Sequence, residues 1–234
     1  MNRSKRWKLA QDYEQNWWKG FEDGLGWYKE FSREVEEFTR QFIDLNSETK
    51  ILEIGSGPAG ALTFLKSDHK YGIDPLEEYF SKNGKWKKFR DPKVIYQTGK
   101  GEDLPFENNF FDLVIIDNVL DHCEYPESVL NEINRVLKKS GVIFFRINLY
   151  TWWGRNIRWL MELFMIDKGH PFSFEKKQVI AQFNNRYWKI MNCEESGYME
   201  TWIDDFKTFT ISGLIKTFLF ITRNRTLFVL QKMK

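Results

Sequence analysis

The sequence predicts an α/β protein built on a parallel sheet. An apolar run, Lys50 to Ile54, breaks into Gly55-Ser56-Gly57-Pro58-Ala59-Gly60 and resumes as the helical-looking Ala61-Leu62-Thr63-Phe64-Leu65. Further short apolar runs alternate with helical patterns, as strands joined by crossover helices require. With 234 residues, 42% of them hydrophobic, the chain has enough material for one α/β domain with a sizeable core plus an insertion or cap.

The glycine segment organises the rest. Glycines at 55 and 57 permit positive φ and let a ligand approach the backbone, and a helix starting after Gly60 would present unpaired N–H groups at its first turn. Such a turn holds a nucleotide-like ligand. Gly55-x-Gly57-x-x-Gly60 also spells the dinucleotide fingerprint, so the glycines alone leave two cofactors open.

Ahead of this turn, residues 1–47 read as a helical extension with helices over Lys5 to Lys19 and Trp27 to Ile43. Phe31, Val35, Phe38, Phe42 and Leu45 recur at three- and four-residue steps and mark a buried face. Trp7, Tyr13, Trp17, Trp18 and Phe21 crowd the first helix, where they either staple it to the domain or line a pocket. After the turn, His69 to Asp74 is a second strand ending in an acid about 20 residues beyond the first strand, a place that suits ribose hydroxyls. Asp before Pro75 also favours a plain turn.

Leu76 to Phe89 reads as one helix, with Lys85, Lys87, Lys88 and Arg90 as a solvated face near its end. Val94 to Gln97 is a third strand, and Phe110 to Asp117 is apolar enough to be a central strand buried on both faces. Residues 127–138 carry Val129, Leu130, Ile133, Val136 and Leu137 on one helical face; Ser140-Gly141 ends that helix and Val142 to Ile147 is a fifth strand. An aromatic insertion at 148–187 follows, with helices over Arg155 to Ile166 and from Glu175. Asn184 to Tyr198 and Thr226 to Met233 read as two late strands, separated by helix and loop over Trp202 to Thr222.

Composition excludes several classes. A net charge of +2 from 35 basic and 33 acidic residues creates no field for nucleic acid. Cys123 and Cys193 are too few for a disulfide framework or a cysteine-based zinc site and read as core thiols of a reducing cytoplasm. Met1 to Lys8 is basic without a following apolar h-region, which is not a secretory signal. Ile211 to Ile221, the most apolar late stretch, is about half of the ~20 residues a membrane span needs and carries Lys216. No transmembrane segment is expected, and the oligomeric state stays open.

Taken together, Ile51 to Gly60, Gly72-Ile73-Asp74, Gly101 to Phe106, Phe111 to Val114, Asn118 to His122, Arg135 to Lys138, Gly141-Val142-Ile143 and His170-Pro171-Phe172 resemble the class I S-adenosylmethionine-dependent methyltransferases. The resemblance implies a Rossmann-like, seven-stranded, mostly parallel sheet of order 3-2-1-4-5-7-6 with the last strand antiparallel, over residues 48–234. It implies an enzyme that binds S-adenosylmethionine and methylates a small-molecule acceptor. It sets Glu53, the Gly55-Ser56-Gly57 backbone and Gly60 at the methionine part, Asp74 and Pro75 at the ribose, Gly101 and Glu102 at the adenine, and Asp117 and Asn118 along the cofactor. Many relatives carry Asp or Asn where Lys100 stands, so Glu102 takes over the adenine contact, while Asp103 is free to cap the Leu104-Pro105-Phe106 turn. An NAD-dependent oxidoreductase is the alternative that the glycines and Asp74 allow, and a non-catalytic cofactor-binding scaffold is a third reading.

Transfer of a methyl group from a sulfonium needs alignment above all, and a base as well where the acceptor is a hydroxyl. The chain has 3 histidines. His69 precedes the second strand and reads as a surface residue. His122 and His170 stand at the cofactor edge and in the insertion, each a catalytic base or a locally bonded structural residue. No single element carries His, Cys, Asp and Glu at metal-ligand spacing, so no metal is expected. In the insertion, Leu160, Leu163 and Phe164 are expected to pack on the core. Trp152 and Trp153 are adjacent and cannot share one helical face, so one of them is left to meet an acceptor with an apolar or ring face, such as a sugar, an isoprenoid or quinone, or an aromatic ring.

Overall fold

In the computed structural model, which describes residues 2–21, 26–164 and 169–233, strand β1 (Lys50–Ile54) lies between β2 (His69–Asp74) and β4 (Phe111–Asp117), parallel to both. β3 (Val94–Thr98) continues the sheet beyond β2, and β5 (Leu137–Leu149) beyond β4. β7 (Asn224–Lys232) runs antiparallel between β5 and β6 (Trp188–Glu195), which gives seven strands in the order β3-β2-β1-β4-β5-β7-β6. This is the strand order, with its reversed last strand, that the resemblance implied.

Successive residues of a strand face opposite sides of the sheet, so the apolar runs supply two cores at once. Leu52, Ile54, Val114, Ile116, Ile143 and Phe145 cluster with helices α5 (Pro126–Val136) and α7 (Lys176–Asn184) through Val129, Ile133, Val179 and Phe183. Their neighbours Ile51, Leu113, Ile115, Val142 and Phe144 cluster instead with Tyr28, Phe31 and Val35 of α2 (Gly26–Thr39).

That second layer departs from expectation. The helical-looking segment after Gly60 is one 3-10 turn, Ala61–Thr63. Between the end of β1 and the start of β2 the glycine turn takes Gly55–Gly60, and the remainder is shorter than the dozen or so residues that a helical crossover uses. α2 covers the sheet there: Ala61 and Leu62 join its apolar cluster, and Ser32 Oγ donates to the Ala61 carbonyl at 2.7 Å.

Three other boundaries move for local reasons. The expected helix from Leu76 to Phe89 is two, α3 (Glu77–Lys82) and α4 (Gly84–Lys87), because Asn83 adopts extended backbone and its side chain accepts from Lys85 N–H at 3.0 Å. Arg90 is not solvated: it pairs with Glu77 at 2.6 Å and donates to the Pro58 carbonyl at 2.6 Å. α5 stops at Val136, and Leu137 already pairs with Phe111; a register shift before Leu113↔Val142 absorbs the stretch that includes Ser140, at φ 62°.

α1 (Arg3–Gly20), started by Asn2, whose side chain accepts from Lys5 N–H at 2.9 Å, crosses from one side of the molecule to the other. Trp18 stacks edgewise on Phe80 and Trp86, Lys100 lies 3.6 Å over the Trp7 ring, and Arg6 pairs with Glu162 of α6 (Trp152–Leu163). The expected end of that helix at Ile166, like Lys168, lies outside the described residues. α8 (Tyr198–Lys207) and α9 (Ile211–Phe218) fill the stretch between β6 and β7. Among the described residues no helix is long and apolar enough to cross a membrane.

The packing of α2 sets a test. Phe31 is 4% exposed and touches both Trp27 and Phe144. Phe31→Ala should lower unfolding free energy by about 3–5 kcal/mol in urea titrations, as for a core phenylalanine. A loss below about 1 kcal/mol would mark α2 as an appendage.

Candidate active site

The carboxyl ends of β1, β2 and β4 meet at the glycine turn, where open parallel sheets form their ligand crevice. Glu53, 3% exposed, points under the turn and accepts the N–H groups of Ala61 and Leu62, both at 3.2 Å. Gly60 has φ 70°, and a Cβ there would stand 2.4 Å from Glu53 Oε2, so backbone conformation and the carboxylate both demand glycine. Asp74 at the end of β2 accepts from Gly57 N–H at 2.9 Å and from Leu76 N–H at 2.8 Å, tying the turn to β2 and holding Pro75 between its two bonds.

The turn amides were expected to face a ligand, and here they do not. Gly55 and Ser56 N–H both donate to the Ile73 carbonyl, at 2.7 and 3.3 Å, while Gly57 N–H goes to Asp74. β2 lies close enough against the turn to take these donors. What remains open is a set of side-chain atoms: Ser56 Oγ, Asn118 Oδ1 and Tyr28 OH are buried and have no hydrogen-bond partner. They surround the same backbone. Tyr28 OH lies 2.9 Å and the Trp18 ring 3.3 Å from where a Gly57 Cβ would be, and Val119, next to Asn118, lies against Gly55. Trp18 therefore both staples α1 to the domain and lines the turn.

Several residues expected at the cofactor are held by the protein itself. Both oxygens of Asp117 accept from Arg146 of β5, at 2.7 and 2.5 Å, and Arg146 also pairs with Glu34 of α2. Burial opposes the charge on Arg146, but Asp117 and Glu34 outweigh it and raise its pKa. Glu102 Oε1 accepts Glu124 N–H at 2.7 Å and Tyr125 N–H at 3.2 Å, fixing the approach to α5. Gly101 is packed against Ile54 and Val129, 3.0–3.1 Å from its Cβ position. Lys100 pairs with Glu124 at 3.1 Å. The Leu104-Pro105-Phe106 turn is held by Glu132, which accepts Leu104 N–H at 2.9 Å, and by Arg135, which donates to the Leu104 and Phe106 carbonyls, rather than by Asp103.

His122 and His170 do come together. His122 ends the 3-10 turn Leu120–His122 after β4, and its ring centroid is 4.6 Å from that of His170. The His170 loop is fastened there by Phe172 N–H, which donates to the Asp121 carbonyl at 3.4 Å, and by Tyr150 N–H, which donates to the Phe174 carbonyl at 2.9 Å. Asp121 is the member that the sequence reading missed: its carboxylate joins both imidazoles, with one donor atom from each residue within 4.8 Å of the others. His69 stays apart, half-exposed at the start of β2 and 3.8 Å from Glu48.

The insertion is more exposed than expected. Leu160, Leu163 and Phe164 are 46, 59 and 71% exposed rather than packed on the core. α6 instead turns Gly154 and Arg158 inward, with Arg158 donating to Ser173 Oγ at 2.8 Å. Trp152 and Trp153 are both exposed, and Trp153 Nε1 donates to the Leu219 carbonyl at 2.9 Å, which ties α6 to the end of α9.

Burial also makes the site pH-sensitive. Removal from water, outweighing the bonded N–H groups, raises the Glu53 pKa to about 8 and that of Asp74 to about 6. The folded state therefore holds protons that the unfolded chain releases near pH 4. Stability from these groups is fully present below about pH 4 and is lost as pH rises through about 6 and then about 8. Wild type should lose roughly 2–5 kcal/mol more than Glu53→Gln between about pH 5 and pH 8. Parallel stability curves for the two proteins would place the Glu53 carboxyl in water.

Residues 52–145 match the family described as methyltransferase domain. An uncharacterised protein of Methanocaldococcus jannaschii is 34% identical over 141 residues, covering 60% of this chain and 59% of that protein. A sarcosine/dimethylglycine N-methyltransferase of Aphanothece halophytica is 28% identical over 102 residues, covering 42% of this chain and 37% of the enzyme. The chain thus matches less than two thirds of the length of either relative. A solved geranyl diphosphate C-methyltransferase of Streptomyces coelicolor, in complex with Mg2+, geranyl diphosphate and S-adenosyl-L-homocysteine, superposes with a TM-score of 0.66 at 12% identity, covering 86% of this chain and 79% of that one. That likeness is one of fold. The glycine turn and the first five strands fall within or at the edge of the matched stretch, so residues 52–145 carry a methyltransferase domain, set in a sheet of Rossmann-like strand order.

Proposed function

We propose that this chain transfers a methyl group from S-adenosylmethionine to a small-molecule acceptor. The observation that carries the reading is the set of partnerless buried atoms around the glycine turn, Ser56 Oγ, Asn118 Oδ1 and Tyr28 OH. Each such atom costs about 1–3 kcal/mol when left unpaired, and a polar ligand seated on the turn removes that cost. In this reading the free lone pairs of Asp74, with Pro75, take the ribose hydroxyls. Asn118 and Ser56 bond to the cofactor directly, Gly101 and Glu102 border the adenine, and Glu53, Gly55, Gly57 and Gly60 set the shape of the methionine end. Asp117 contributes through Arg146.

When bound, S-adenosylmethionine supplies both the methyl group and its own leaving group, so the protein has to align the acceptor and exclude water. For an acceptor that reacts through a hydroxyl, His122 and His170 are the groups that receive its proton. The exposed Trp152, Trp159, Leu160 and Leu163 suit an acceptor with an apolar or ring face, such as a sugar, an isoprenoid or a quinone. Residues 48–234 then form the cofactor-binding domain, 148–187 its acceptor cap and 1–47 the helical layer that covers the turn. The near-neutral charge balance supports a reading without a nucleic-acid partner, and the two cysteines suit the cytoplasm.

Calorimetry with S-adenosylmethionine and with NAD tests this directly, and only the first should give a one-to-one isotherm. Asn118 has φ 52°, which glycine adopts without strain, so Asn118→Gly should keep the melting temperature while weakening cofactor binding by about 1–3 kcal/mol. An isotherm with NAD instead, or unchanged affinity in the variant, would count against the site as drawn. Once an acceptor is in hand, Trp152→Ala should raise its KM and leave cofactor affinity within about twofold.

A further inference from the structure

Asp121 is 2% exposed, its Oδ1 accepts no hydrogen bond, and among the described residues its one ion-pair contact is His122 Nε2 at 3.9 Å. His122 Nδ1 is likewise buried and without a partner. A carboxylate held out of water without a bonded counter-charge costs several kcal/mol. His122 Nε2 stands beyond hydrogen-bond distance of that oxygen, so it does not satisfy the carboxylate.

We propose that Asp121, His122 and His170 bind one divalent transition-metal ion at the acceptor side of the crevice. One donor atom from each lies within 4.8 Å of the other two. Metal bonds of about 2.0–2.2 Å bring such donors to about 3.0–3.5 Å, so closure by about 1 Å, within the reach of small side-chain rotations, completes the set. Two imidazoles and one carboxylate suit zinc, iron(II) or manganese rather than calcium or magnesium, which prefer all-oxygen shells. Three protein ligands also leave positions open for an oxygen of the acceptor.

What the ion does there rests on the methyl-transfer reading. Ligation replaces the base role that His122 and His170 would have without the ion: an acceptor hydroxyl takes an open position and loses its proton to solvent at neutral pH. The resulting metal-held oxyanion forms the O–CH3 bond as the C–S bond breaks, and the sulfur keeps the electron pair as a neutral thioether. The acceptor class is therefore a small molecule with a hydroxyl, or neighbouring oxygens, able to chelate.

The test uses the full chain, stripped with chelator and titrated with Zn2+ by calorimetry and with Co2+ by visible absorption. Binding should be one-to-one, and Asp121→Asn and His170→Ala should each weaken it by at least the 10–100-fold typical of a metal's supporting residues. S-adenosylhomocysteine affinity, measured on the same samples, shows that the variants are folded. Metal-free Asp121→Asn should melt no lower than metal-free wild type, since it removes an uncompensated charge; a carboxylate paired with His122 would make it melt lower. No saturable binding, or binding that survives both substitutions, overturns the metal site. Loss of S-adenosylhomocysteine binding by wild type with metal binding intact would overturn the methyl-transfer reading instead.

Discussion

The fold turns on one buried carboxylate. Glu53 stands at the end of the central β1 strand and accepts two successive backbone N–H groups from the far side of the glycine turn. These are the donors that a helix beginning at Ala61 would leave unsatisfied, and Glu53 uses them to end the turn within a single 3-10 step. The chain then reaches β2 by a short path, and a helix from elsewhere must cover the exposed face of β1. α2 does so, and in doing so brings Tyr28 to the turn and Glu34 to Arg146. A side chain at 60 would break this arrangement by contact alone.

The parts of the fold legible in the sequence were those set by local periodicity. Every expected strand is present, and the apolar run Phe110 to Asp117 correctly marked β4 as buried on both faces. The segment Ala61–Leu65 misled because a short apolar run carries the same composition whether it packs as helix or as turn, and only the distance to β2 separates the two. Leu76 to Phe89 looked like one helix because a lone Asn83-Gly84 is tolerated in many helices; here Asn83 caps the next one.

Site residues were legible by type and less so by partner. Glu102 and Asp117 are acids near the expected crevice, yet Glu102 Oε1 is taken by the N–H groups of Glu124 and Tyr125, and both Asp117 oxygens by Arg146. Arg146 could have warned of this, being a cation inside an apolar strand, which has to find a counter-charge nearby. Asp121 had no such signal. Its neighbours His122 and His170 are far apart in sequence, and the strand–loop contact of Leu149 with Phe174, with the Phe172 to Asp121 hydrogen bond, brings the second histidine beside the first. Leu160, Leu163 and Phe164 show the converse: they have helical spacing, but Gly154 and Arg158 form the inward face of α6.

The position of β7 bears on how the chain acquires its structure during synthesis. Of the seven strands of this sheet β7 is synthesised last, yet it lies inside the sheet, bonded to β5 along Val142 to Leu149 and to β6 along its other edge. Until it emerges, β5 presents an open, apolar edge of the kind that recruits strands from other chains. β6 packs on α7 but has no strand partner among the described residues during that interval. The nascent chain therefore passes through a long stage in which β1 to β5 can assemble but not close, and holding factors that bind exposed strand edges would find their substrate there.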